Sequence, residues 1–133
     1  MKNFARFSQY RNRYWCEEST NFEMYLIGSL FGTDIGCRID DFFTKWLEFE
    51  YGGAGGNATT VSFYEDPETW EVLDRNIVEI RDALDEENGP VFRMPTKEYK
   101  KMVLQWQALC KLKPKEIIIT WDGKKITVEG KAR

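Results

Sequence analysis

The chain has 133 residues, 42% of them hydrophobic and 15% aromatic, with a formal net charge of −3 and no histidine. Side chains this apolar can offset the entropy of ordering, which excludes a disordered segment, and the length suits one domain around one core. Without histidine the chain lacks the commonest neutral-pH general base, the commonest metal ligand and the centre of Ser-His-Asp or Cys-His catalysis, so any enzyme here works with carboxylates, lysine or tyrosine.

The charge is unevenly spread. Residues 1–16 carry four bases and no acid, residues 17–98 carry 19 acids against six bases, and residues 99–133 carry nine bases against three acids. So acidic a middle repels nucleic acid and attracts a basic partner, chiefly by speeding encounter. No stretch approaches the roughly 20 apolar residues needed to cross a bilayer. The polar, basic start is unlike a signal peptide, so a cytoplasmic protein with no membrane contact is expected. Cys16, Cys37 and Cys110 are odd in number, widely spaced and outside any CxxC pair, which argues against a disulfide framework and a cysteine zinc site. Buried, reduced thiols are the expectation, with one bridge between two of them left open.

In chain order, the basic aromatic segment 1–16 has no clean period and its structure stays open. Thr20-Asn21-Phe22-Glu23 has the form of a capping box and predicts a helix ending at Gly32, although Met24–Leu30 would also suit a buried strand. Asp34 is placed to cap a second helix whose stripe is Ile35, Ile39, Phe42, Phe43, Trp46 and Leu47. The Gly-rich segment 52–57 is expected to break regular structure, and Ala58–Tyr64 reads as a strand. Asp66-Pro67 predicts a third helix, with Trp70, Leu73, Ile77, Ile80 and Leu84 buried and an acidic outer face running into the Asn88-Gly89-Pro90 turn. Val91–Met94 reads as a short strand, Thr96 as the cap of a fourth helix through Cys110, and residues 116–129 as a hairpin about Asp122-Gly123. The sum is a single α+β domain over 1–133, four helices packed on a small, mainly antiparallel sheet that ends in a carboxyl-terminal β-hairpin.

No constellation for catalysis stands out, and a non-enzymatic protein without cofactor or metal is expected. The glycine cluster lacks the Lys-Ser/Thr pair and following helix of a phosphate loop. Asp40 and Asp41, as neighbours on a helix, point about 100° apart and cannot both face one cation, while Glu48 and Glu50 read as solvated surface. The aromatic, arginine-bearing start resembles in composition a surface that stacks single strands, but core aromatics with paired arginines explain it as well. Lys124, Lys125 and Lys131 are too sparse for a phosphate track. The candidate partner surface is therefore the outer face of the third helix: Glu68, Glu71, Glu79, Asp82, Asp85, Glu86 and Glu87.

Trp106 on a helix followed by Lys113-Pro114-Lys115-Glu116-Ile117-Ile118-Ile119 and a terminal hairpin, in an acidic chain of this size, resembles the small bacterial immunity proteins of contact-dependent growth inhibition and other polymorphic toxin systems. The resemblance covers about the last third of the chain and implies a role but no site residues. That role is neutralising a cognate toxin by direct protein–protein contact, with a basic toxin domain as partner. Two alternatives are a single-stranded nucleic-acid module built on the amino terminus, which the overall acidity disfavours, and a histidine-free carboxylate–Mg²⁺ enzyme.

Overall fold

The segment that shows no period in the sequence folds as the first hairpin. The computed structural model describes residues 2–38, 40–49 and 52–132. Strand β1 (Asn3–Tyr10) turns at Arg11-Asn12, both with positive φ as a two-residue hairpin loop of this hand requires, into β2 (Arg13–Ser19). The hairpin takes β1 into the centre of a sheet of order β2-β1-β7-β8, where β7 (Glu116–Trp121) and β8 (Ile126–Lys131) form the expected terminal hairpin. All pairings are antiparallel, and Ala5, Phe7, Ile117, Ile119 and Ile126 point into the core.

A helix forms after β2 and excludes the strand reading, but Gly32 does not end it: the helical path runs through Gly32 to Ile35. Helix α1 (Phe22–Ser29) is capped by Asn21, whose side chain accepts from Met24 N at 2.9 Å, whereas the Thr20 hydroxyl is occupied by Phe4 N and Asn3. The chain then continues as a π-helical segment, Leu30–Ile35, that ends at Gly36 with φ 55°. Asp34 therefore lies inside a helical segment and caps nothing: its carboxylate accepts from Ala58 N at 3.0 Å and from Thr59 N at 2.7 Å. The expected second helix shrinks to one turn, α2 (Phe42–Lys45), followed by a 3-10 turn at Trp46–Glu48. Ile39 and Glu50 lie outside the described residues.

The second sheet is a meander of order β3-β4-β5-β6: β3 (Gly53–Gly55), β4 (Thr59–Glu65), β5 (Val72–Asp82) and β6 (Val91–Pro95). Two expectations fail here. The glycine cluster does not break structure throughout, because Gly53 needs its missing side chain to pair: a Cβ there would lie 2.1 Å from Val61 O. The expected third helix is the longest strand of the protein. Asp66 does start a turn, accepting from Glu68 N and Thr69 N and receiving Trp70 N on its carbonyl, but Trp70 adopts φ 64° and ends it after one turn. From Val72 onward the chain pairs with β4, through an irregular register, and over Ile77–Arg81 with β6 as well. Of the expected apolar stripe only Ile80 is in the core. Ile77 is half-buried, and Trp70, Leu73 and Leu84 are exposed.

Helix α3 (Thr96–Leu112) forms where expected and buries Tyr99, Met102, Val103, Trp106 and Cys110, but Thr96 is its first residue and not its cap: Pro95 precedes it, and the Thr96 hydroxyl donates to Arg75 O at 2.7 Å. Trp106 sits at the centre of an aromatic cluster, edge-on to Phe7 at 4.8 Å and to Tyr14 at 5.7 Å, with Phe31 at 4.7 Å. Phe92 of β6 meets Trp121 of β7 at 5.1 Å, so both sheets share one core. The architecture is α+β, but with three α-helices among the described residues and two four-stranded antiparallel sheets in place of four helices on one sheet.

Candidate functional site

The strand at 72–82 redistributes the acidic residues that a helix would have gathered. Glu68 and Glu71 stay exposed at the β4–β5 turn, and Asp85, Glu86 and Glu87 stay exposed beyond the far end of β5, with Asp82 half-buried there and accepting from Leu84 N. An 11-residue strand separates the two groups by roughly 30 Å, so the seven acids do not form one face. Glu79 lies between them and is wholly buried. Arg93 Nε donates to it at 2.6 Å and Arg81 Nη2 at 2.9 Å. The hydrogen bond to Glu79 holds the Arg93 guanidinium above its ordinary pKa, and Arg93 stacks over Tyr64 at 4.8 Å. Beside them, burial raises the Glu65 carboxyl above its usual range, the Glu79 charge adding to the rise and Arg81 opposing it.

The outer face of this sheet carries a groove that no sequence pattern announces. Gly53 and Gly55, opposite Ser62 and Thr60, leave its floor without side chains, and Phe42, Glu65 and Trp70 rise around it. Trp70 is 70% exposed and Phe42 48% exposed. The groove continues past Phe42 and Gly53 toward Phe49, itself exposed. A left-handed backbone costs a non-glycine residue roughly 1 kcal/mol, so the turn holds a large aromatic ring out of the core at some expense. The sequence signal was present, a tryptophan inside the acidic run Glu65–Glu71, but a helical reading assigns that ring to the core.

A basic counterpart is assembled from segments 100 residues apart. Gln9 N donates to Lys115 O at 2.9 Å and the Tyr14 hydroxyl donates to Pro114 O, which seats the β1–β2 turn against the end of α3. Arg11, Arg13, Lys111, Lys113 and Lys115 are all exposed there, and none is ion-paired among the described residues. Arg11 lies over Tyr10 at 5.3 Å and Arg13 over Trp15 at 5.0 Å. The basic aromatic amino terminus is thus surface and not core, except for Ala5, Phe7 and Tyr14, and among the described residues Arg6 alone of its arginines is paired, with Glu18 and Glu116. The Lys111-Leu112-Lys113-Pro114-Lys115 run was the readable sign of this patch.

Asp40 and Glu48 are paired locally. Asp40 binds Arg38 and receives Phe42 N, and the Arg38 hydrogen bonds lower its carboxyl pKa, while Glu48 pairs with Lys45 at 3.2 Å. Among the described residues no group of three or more Asp, Glu or Cys is placed to hold a metal ion, and no helix is long and apolar enough to cross a membrane. The cysteines depart from expectation: Cys110 is buried, but Cys16 and Cys37 are exposed. No family model matches this chain, and no curated protein or solved structure is significantly similar to it.

Proposed function

We propose that this chain is an immunity-like binding protein that neutralises a toxin domain by stoichiometric contact, with a basic protein surface as its partner. Support comes from one observation: Trp70, 70% exposed and held in a left-handed conformation, stands between Glu68 and Glu71 at the rim of a glycine-floored groove. Aromatic anchors set in a polar, charged rim are the anatomy of protein–protein hot spots, and exposed acids speed the approach of a basic partner. The acidic loop Asp85-Glu86-Glu87 adds to the long-range field but lies too far along β5 to share the same contact. The proposed contact therefore keeps Glu68 and Glu71 and leaves out Glu79, which is fully occupied within the fold.

The test is association with the protein encoded immediately upstream. A one-to-one complex is expected, forming more slowly at high salt, with W70A raising the dissociation rate and the pair E68K and E71K slowing association about tenfold at low salt. Absence of a complex, or rates indifferent to all three substitutions, overturns the reading.

A second reading, binding of single-stranded nucleic acid, gains from the convergence of Arg11 and Arg13 with Lys111, Lys113 and Lys115 beside the exposed rings of Tyr10 and Trp15. A salt-sensitive mobility shift with single-stranded RNA, lost in R11E/K113E, would support it. No shift at low salt removes it.

A further inference from the structure

Cys37 and Cys110 are 73 positions apart in sequence, yet their sulfurs lie 2.8 Å apart, against roughly 2.0 Å in a covalent disulfide. The approach follows from how α3 grips the turn after the π-helical segment. The Trp106 indole N–H donates to Gly36 O at 2.7 Å, Gln107 Nε2 donates to Asp40 O at 2.9 Å, and the Tyr99 hydroxyl donates to Phe43 O at 2.6 Å. Residue 110 is one helical turn beyond residue 106, so its side chain falls on the same side of α3, directly against residue 37. Cys37 is exposed and Cys110 buried, so a reagent in solution meets Cys37 first. The two thiols floor a cleft of about 200 Å³ edged by Asn12, Tyr14, Lys111 and Lys113.

We propose that Cys37 and Cys110 form a thiol–disulfide exchange site that takes a low-molecular-weight peptide disulfide, of which glutathione disulfide is the probe. The two lysines at the mouth suit its carboxylates. In the first step the Cys37 thiolate attacks one sulfur of the disulfide. A protein–glutathione mixed disulfide forms, and the first glutathione leaves as a thiolate that takes up a proton. In the second step Cys110 loses its proton to solvent and attacks Cys37 Sγ, and the second glutathione leaves and is protonated. Two protein thiols are oxidised and one glutathione disulfide is reduced to two glutathiones, with no other oxidant. Burial raises the Cys110 thiol above its ordinary pKa, which slows the second step by lowering the share of Cys110 present as thiolate. Cys16 is near neither thiol in this cleft: it packs against Gly28, where an added Cβ would lie 2.6 Å from its sulfur.

The experiment exposes the folded, reduced chain to glutathione disulfide at neutral pH and maps the products by mass spectrometry without reduction. Expected are a Cys37–Cys110 cross-linked peptide, two glutathiones released per chain and a free Cys16. In C110S the mixed disulfide on Cys37 is expected to accumulate. In C37S the reaction of Cys110 is expected to be slower than that of Cys37 by at least about tenfold. In urea the preference for the 37–110 pairing is expected to disappear. The proposal is overturned if Cys37 remains a thiol in the folded wild-type chain, if its mixed disulfide never resolves there, or if Cys16 is the residue that reacts. These readouts on the wild-type chain decide the matter even where C110S fails to fold.

Discussion

Arg93 on β6 donates its Nε to Glu79 on β5 at 2.6 Å, and the carboxylate it holds has no exposure to solvent. The pair sits on the outer face of the second sheet, with Arg81 as the other donor to the same carboxylate. Removing one partner of a buried ion pair costs more than the pair itself contributes, because the charge left behind has lost its solvation. R93M is therefore expected to lower unfolding free energy by about 2–3 kcal/mol, Arg81 keeping the loss from being larger. The double variant E79L/R93L is expected to recover part of that loss, since Arg81 can reach water. Urea titrations of the two variants check the sign: a double variant less stable than R93M would contradict the account.

Trp70 should separate stability from binding. Its side chain is 70% exposed, so little packing is lost on removal, while its φ of 64° is one that glycine adopts without strain. W70G is expected to leave stability unchanged or raise it by up to about 1 kcal/mol. In the same variant, affinity for a protein partner docking on the groove is expected to fall at least about tenfold, as for a hot-spot aromatic. Thermal unfolding alongside a binding titration checks both halves, and a clear loss of stability would mean that the ring packs more than its exposure indicates.

Gly53 tests whether the edge strand depends on close approach. An added Cβ would meet Val61 O at 2.1 Å, a backbone atom that cannot move without breaking the β3–β4 pairing. G53A is expected to cost about 1–3 kcal/mol and to increase amide exchange in residues 53–55, with β5 and β6 still protected. Unchanged exchange there would show that the pairing tolerates a side chain.

What the sequence revealed depended on whether local and long-range preferences agreed. At α3 and the closing hairpin they did: the spacing of Tyr99, Met102, Val103, Trp106 and Cys110, and the Asp122-Gly123 turn, each suit the structure they enter. At 66–82 they conflicted. Asp66-Pro67 does begin a helical turn, but Val72, Ile77, Val78 and Ile80 are β-branched, and residues 78–81 pair with β4 on one side and β6 on the other. Glu79, read as an outward helix residue, is instead the buried acceptor of two arginines, one of them 14 residues away. The groove and the basic patch were hidden for a related reason. Each joins residues that only tertiary pairing brings together: Phe42 with Trp70 across β3 and β4, and the β1–β2 turn with the lysine-bearing segment at the end of α3.

Glu98 gives the fold a pH dependence whose sign can be worked out. It lies in the first turn of α3 and is only 7% exposed. It accepts from Lys101 Nζ at 2.8 Å and from Ile126 N at 2.9 Å, which ties the helix start to β8. The Lys101 hydrogen bond first, and the Ile126 N–H second, lower its carboxyl pKa below the ordinary value, outweighing burial. A carboxyl more acidic in the folded than in the unfolded chain stabilises fully above its unfolded value, near 4.3, and loses that contribution as pH falls through the lower folded value. E98Q keeps an acceptor for Ile126 N–H but not the charge, so a loss of about 1–2 kcal/mol is expected at neutral pH. E98A strands the buried Ile126 N–H as well and is expected to cost about 1 kcal/mol more. Below pH 4 the wild-type and E98Q stabilities should converge, because the proton has then done what the substitution does. Urea midpoints at pH 7, 5, 4 and 3 check this, and curves that stay parallel to the lowest pH would show that Glu98 is not held as a charged acceptor.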